Sequence, residues 1–232
     1  MTQQGRQPVF FVPRIILVLL VLLISVHVFR VILFPEHENF IISMFGVLPA
    51  RYRPDVIQAF PGGVWSAIPT FLTYSLLHAD FMHLAINSLW LLAFGTAMAR
   101  MLGIGRFLIL YLASAFVAGL AHVIVDSGSL IPMVGASGAI SGTMGAGFRA
   151  LPLIPGLAQT FMDHPGGSRS ASPLLSLYDR RFLLMSGVWL VSNLLFGLTG
   201  IRVAEEVLMI AWDAHVAGFV TGALLIGGLL RR

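Results

Sequence analysis

Long apolar runs separated by short polar punctuation dominate the chain, and six such runs stand out. The first extends from about Phe10 to Phe34, with few helix breakers past Pro13. It is too long, and too closely followed by arginine and acidic residues, for a cleavable signal, so it reads as a retained helix. The others cover about Ala79–Ala99, Phe107–Val125, Ser137–Ala150, Phe182–Leu198 and Ala211–Leu230. A helix that crosses a bilayer needs roughly 20 mostly apolar residues. The pattern therefore predicts an all-α polytopic membrane protein, a single six-helix bundle over residues 1–232.

The connections refine this picture. A short N-terminal tail (1–9) precedes the first helix, and a long first loop (35–70) carries prolines at 35, 49, 54, 61 and 69. Its apolar pieces, such as Phe40-Ile41-Ile42-Ser43-Met44-Phe45, are too short to span and predict an interfacial or partly re-entrant loop. The connection 151–180 is polar around Asp163–Arg169 and reads as flexible. No internal repeat of the transporter kind is visible.

Composition agrees with the periodicity. Of 232 residues, 57% are hydrophobic and only 10% charged, against about a quarter charged in soluble domains. Cysteine is absent, which excludes disulfides, cysteine nucleophiles and thiolate metal sites. All basic residues are arginine. With six helices, one side holds Arg6, Arg14, Arg100, Arg106, Arg149, Arg169, Arg180, Arg181, Arg231 and Arg232, ten in all; the other holds Arg30, Arg51, Arg53 and Arg202, four. That bias places both termini in the cytoplasm. The basic excess is a topology signal and not a sign of nucleic-acid binding. The expected setting is a bacterial cytoplasmic (inner) membrane.

Against this apolar background, a few polar residues at membrane depth mark functional candidates. Gly135-Ala136-Ser137-Gly138 opens the fourth run and Ala214-His215 opens the sixth. Gly138, Gly142 and Gly145 form a stripe beside Ser137, and Gly218 and Gly222 lie on nearly the same face as His215. Two glycine-lined helices approach at backbone distance, which brings Ser137 and His215 together as nucleophile and base. His83 and Asn87, four residues apart, share a helical face. They are either packing glue between helices or donors to a developing oxyanion. No acid completes a triad: Asp80 reads as a helix cap, and Asp213, on the far side of its helix from His215, as an interfacial residue. A Ser–His dyad is chemically sufficient if other contacts position the histidine.

These pieces, His78 with His83 and Asn87, Gly135-Ala136-Ser137-Gly138, and Ala214-His215 with Gly218 and Gly222, resemble the rhomboid intramembrane serine proteases in order and spacing. Smaller similarities are Phe45-Gly46-Val47-Leu48-Pro49-Ala50-Arg51, and Arg106-Phe107 with Tyr111; together they cover about residues 8–230. The resemblance implies cleavage of single-span membrane protein substrates within or near the lipid bilayer, with the site toward the outer face. Ser137 is then the nucleophile, His215 the general base, and His83, Asn87 and the Ser137 N–H the oxyanion hole. His78, Gly135, Gly138, Ser141, Gly218 and Gly222 shape the site. The fifth helix and about Gly200 to Trp212 match the family's gate and cap. No cofactor or metal is called for, and the oligomeric state is not legible.

Three positions depart from the family pattern. A common Trp-Arg pair is Pro69-Thr70, a glutamate late in helix two is Ala99, and an aromatic four residues after the serine is Ser141. The competing readings are a catalytically silent rhomboid-like protein that escorts membrane clients, and a histidine-based transporter. The presence of both Ser137 and His215 weighs against the first. The absent repeat and the poor metal spacing of His78 and His83 weigh against the second. No His-Glu-x-x-His motif is present for a zinc protease.

Overall fold

The computed structural model describes residues 12–154, 174–199, 201–203, 206–208 and 210–231. The expected tail (1–9), most of the connection 151–180 and part of the expected cap lie outside the described residues. Helix α1 (Arg14–Val28) begins after Pro13 and winds into a wider π-type turn, Phe29–Leu33. Two short helices follow, α2 (Glu38–Phe45) and α3 (Gly63–Thr73). Helix α4 (Phe81–Trp90) passes through a second π-type turn, Leu91–Gly95, into α5 (Thr96–Val125). The bundle is completed by α6 (Ser137–Ala150), α7 (Arg180–Thr199) and α8 (Trp212–Leu230). A small antiparallel ribbon, β1 (Ile201–Val203) with β2 (Glu206–Leu208), pairs Ile201 with Leu208 between α7 and α8.

The centre of the bundle is α6, in which every residue from Gly138 to Gly147 is buried. It packs most extensively on α8 and next on α5. Glycine makes the α6–α8 contact possible. A methyl group on Gly218 would collide with the Gly138 carbonyl oxygen, one on Gly222 with that of Gly142, and one on Gly145 with that of Phe219. On the opposite flank, a methyl on Gly142 would strike Ser114 of α5. The two main chains therefore touch directly, as small residues permit between membrane helices.

The first loop is folded and anchored. Arg51 is fully buried. Its guanidinium donates to the carbonyls of Met44 (3.3 Å), Ser43 and Pro61 (3.4 Å) and lies 5.3 Å from the Phe60 ring centre. The first two carbonyls belong to the last turn of α2, which has no helical partners of its own. Thr70, at the position of the missing Trp-Arg pair, is buried and pairs with the Tyr52 hydroxyl at 2.5 Å. The loop in turn holds the strand ahead of α6: Val47 and Met133 exchange N–H···O bonds of 3.1 and 2.8 Å.

Apolar side chains cover the outside. Val188 is 70% exposed and Leu198 68%, with similar exposure along α1, α4 and α5. Patches of this extent are not tolerated on a soluble monomer, and the chain is an integral membrane protein with several apolar helices. Four helical runs, Arg14–Leu33, Phe81–Val125, Arg180–Thr199 and Trp212–Leu230, are long and apolar enough to cross a membrane. The difference from the six runs of the sequence has two physical sources. The second and third runs form one continuous stretch of 45 residues, broken at Gly103, where φ is 73° and ψ is 169°. The fourth forms only the 14-residue, enclosed α6.

Substituting Gly222 by Val forces a branched side chain against the Gly142 carbonyl, which cannot rotate aside. Overpacking of this kind costs about 1–3 kcal/mol, so Gly222→Val is expected to lower the thermal midpoint in detergent. Gly187→Ala, with nothing within 4 Å, is expected to leave it unchanged or slightly raised. Equal midpoints for Gly222→Val and the parent protein would contradict the close approach of α6 and α8.

Candidate active site

Three helix starts converge at one end of the bundle. His83 lies in the first turn of α4, Ser137 is the first residue of α6, and His215 lies in the first turn of α8. Helix starts carry unpaired N–H groups and a partial positive charge, which suits a group that develops negative charge. Asp80 fixes the α4 start by accepting from the His83 N–H at 2.8 Å, the cap expected from the sequence. The glycine contacts between α6 and α8 then bring the Ser137 hydroxyl to 2.7 Å from His215 Nε2.

Gly135 lies against the His83 ring beside this pair. Its φ of 123° lies outside the comfortable range of any other residue, and its N–H donates to the Tyr74 carbonyl at 3.0 Å. A Cβ here would come within 2.7 Å of His83 Cε1 and 2.8 Å of its Nε2, 3.6 Å from Ser137 Oγ, so only glycine lets the main chain pass this close to the His83 ring. The Ala79 N–H points to His83 Nδ1 at 3.4 Å. That contact makes Nδ1 the acceptor, so the ring proton resides on Nε2, the nitrogen beside Gly135.

The remaining sequence-derived positions are distributed around this core. Asn87 is buried, one turn below His83, and its amide donates to the His83 carbonyl at 2.9 Å. His78 is fully buried, its ring 5.2 Å from that of His83 in an edge-on arrangement, and its carbonyl accepts from Arg30. A methyl on Gly138 would meet Ala118 and the Tyr74 hydroxyl, so this glycine seats α6 against α5 and against Tyr74, just past the end of α3. Gly218 and Gly222 lie in the α6–α8 contact, and Ser141 is buried in α6.

Two residues sit differently from expectation. Asp213 is not interfacial: it is buried and pairs with His122 Nδ1 at 2.9 Å, tying the end of α5 to the start of α8. The pair satisfies a carboxylate at a helix start and a histidine in the last turn of another, each at its favourable dipole end. Asn193 of α7 was missed altogether. Its Oδ1 lies 2.8 Å from His215 Nδ1, and its Nδ2 donates to the Trp212 carbonyl at 3.0 Å. The available signal was a lone asparagine in an otherwise apolar run, which membrane depth makes a functional candidate.

Comparison with known proteins bears on the same region. The Rhomboid domain profile matches residues 62–232. The chain is 47% identical over 75 residues to rhomboid protease GluP of Bacillus subtilis, covering 32% of this chain and 14% of that protein. It is 28% identical over 155 residues to rhomboid protease GlpG of Serratia proteamaculans, covering 67% of this chain and 46% of that protein. Rhomboid protein 1, mitochondrial, of Saccharomyces cerevisiae is 39% identical over 72 residues, 29% of this chain and 21% of that protein. These matches span half or less of each relative's length.

The buried His78 has a measurable consequence. Both of its ring nitrogens lack a partner among the described residues. Burial, reinforced by His83, His27 and Arg30, pushes its pKa down from 6.5 to about 3. The unfolded chain therefore binds the extra proton between those values, and the stability this group contributes above pH 6.5 is lost as pH falls through that window. Thermal midpoints of the parent protein are expected to fall more steeply from pH 7 to pH 4 than those of His78→Gln. The difference in slope is at most about 1.4 kcal/mol per pH unit. Parallel profiles would contradict a neutral, buried His78.

Proposed function

Because the chain belongs to the rhomboid family, we propose that it is an intramembrane serine endopeptidase that cleaves membrane-anchored proteins within or near the bilayer. The observation that carries this reading is the 2.7 Å contact between Ser137 Oγ and His215 Nε2, at the start of an enclosed helix. The Ser137 hydroxyl attacks the scissile carbonyl carbon while its proton passes to His215 Nε2. The carbonyl oxygen gains the negative charge, and the donors that receive it are His83 Nε2–H, beside Gly135, and the Ser137 N–H. Asn87 completes the donor set. Collapse breaks the peptide bond, and the imidazolium gives its proton to the leaving amine. Water, deprotonated by the same histidine, then releases the acyl group from Ser137.

The site belongs to one domain of six membrane crossings. His83, near the start of the Phe81–Val125 stretch, approaches Gly135, and His122, near its end, pairs with Asp213. Both ends of the stretch thus lie at the Ser137 end of the bundle, and the chain doubles back at Gly103. At 1.5 Å per residue a straight helix of this length would run about twice the roughly 30 Å apolar core. Helix α6 is the remaining crossing. Its enclosure by α5 and α8 spares it any need to reach both surfaces. The arginine distribution turns the Ser137 end toward the outer face and the start of α1 toward the cytoplasm. Substrates are single-span proteins, which approach through lipid. Helix α7, with only Phe182, Asn193 and Gly197 buried among its described residues, is the side of the bundle least closed to them.

Ser137→Ala and His215→Ala are each expected to abolish cleavage of a single-span reporter in liposomes while retaining the thermal midpoint. Undiminished cleavage in both would sink the proposal. His83→Ala is expected to lower kcat by about 10²-fold, the usual effect of losing one oxyanion donor, and Asn87→Ala to lower it as well. Unchanged turnover in these two would return the residues to helix packing.

A further inference from the structure

The contact between His215 and α7 fixes more than the ring's position. The Trp212 carbonyl can only accept, so the Asn193 amide that faces it must be the NH₂ group, at 3.0 Å. That orientation turns Oδ1, an acceptor only, toward His215 Nδ1 at 2.8 Å. Nδ1 must then carry the ring proton, which leaves Nε2 with a lone pair directed at the Ser137 hydroxyl, 2.7 Å away. The alternative tautomer would set two acceptors against each other at Asn193 and a proton against the serine's own. No ring stacks on His215 among the described residues, and Ser141 stands where such a ring would come from, so this hydrogen bond is the polar contact that orients the imidazole.

Asn193 belongs to α7, a 20-residue helix with only Phe182, Asn193 and Gly197 buried among its described residues. Its side of α7 meets α8 at Gly197, where a Cβ would come within 2.5 Å of Trp212, and at Trp189, whose ring stacks 4.4 Å from that of Phe219. We infer that Asn193 is a positioning residue that selects the base-competent tautomer of His215, and that Ser137 is therefore activated only while α7 is seated against α8. This rests on the Ser137–His215 reading above. A substrate or lipid that wedges α7 outward removes the acceptor from Nδ1. Reseating of α7 restores it, so helix position and hydroxyl activation rise and fall together.

Two measurements on the full chain test this. The first compares isosteric Asn193→Leu, which keeps the packing, with Asn193→Asp, which keeps the acceptor. Asn193→Leu is expected to lower kcat about 10-fold or more with KM within about twofold, because a wrong tautomer weakens base catalysis and leaves binding alone. Asn193→Asp is expected to retain more activity than Leu. The reverse order would mean a packing role and overturn the assignment. The second is ¹⁵N NMR of His215 in a Ser137→Ala background, which needs no activity. The Nδ1-protonated form is expected there, with the Nε2-protonated form appearing on adding Asn193→Leu. The same shift is expected for Gly197→Val, which pries α7 from Trp212 and leaves Asn193 in place. An unchanged tautomer in Asn193→Leu would overturn the proposal, and an unchanged one in Gly197→Val its dependence on the seating of α7. Cleavage that survives Ser137→Ala would instead refute the nucleophile, an outcome the NMR result does not touch.

Discussion

Main chain lies against main chain where α6 meets α8, and the site depends on that contact. The carbonyls of Gly138 and Gly142 occupy the space that side chains at 218 and 222 would fill. In lipid, no hydrophobic gain separates one apolar packing from another, so van der Waals contact between small residues takes its place as the source of helix association. The same closeness sets the chemistry. One residue ahead of the first contact on α6 stands Ser137, and three ahead of Gly218 on α8 stands His215, so the spacing of the glycines determines the reach of the histidine.

Polar groups provide the second layer of organisation. Each is placed where a buried carbonyl or charge would otherwise go unpaired. Arg51 gathers the last carbonyls of α2, and Tyr74 donates to the Ala115 carbonyl at 2.9 Å. Arg149 donates to the carbonyls of Leu175 and Ala223 at 3.0 and 2.6 Å. The His122–Asp213 pair joins the ends of α5 and α8. An unsatisfied polar group in a medium without water costs several kcal/mol. The apolar exterior then faces lipid, with no need for a polar rim.

The sequence made the apolar runs, the glycine stripes and the Ser137–His215 pairing legible, because each is a spacing along a helix and needs no long-range information. The cap at Asp80 was legible for the same reason. The break at Gly103 was legible as well, as the Arg100–Arg106 interval between two apolar runs. Asp213 was misplaced because its partner, His122, lies 91 residues away, and a carboxylate in a first turn ordinarily faces water. Asn193 went unread since its role depends on a carbonyl and a ring brought in from another helix. The anchoring role of Arg51 was not legible either, since the carbonyls it binds come together only when the loop folds.

Ser137 as the nucleophile is tested most directly by reacting the protein in liposomes with a fluorophosphonate and locating the adduct by peptide mass mapping. A single phosphonyl group is predicted, on Ser137 and dependent on His215. An adduct on a different residue, or none in a preparation that still cleaves its reporter, would contradict that role.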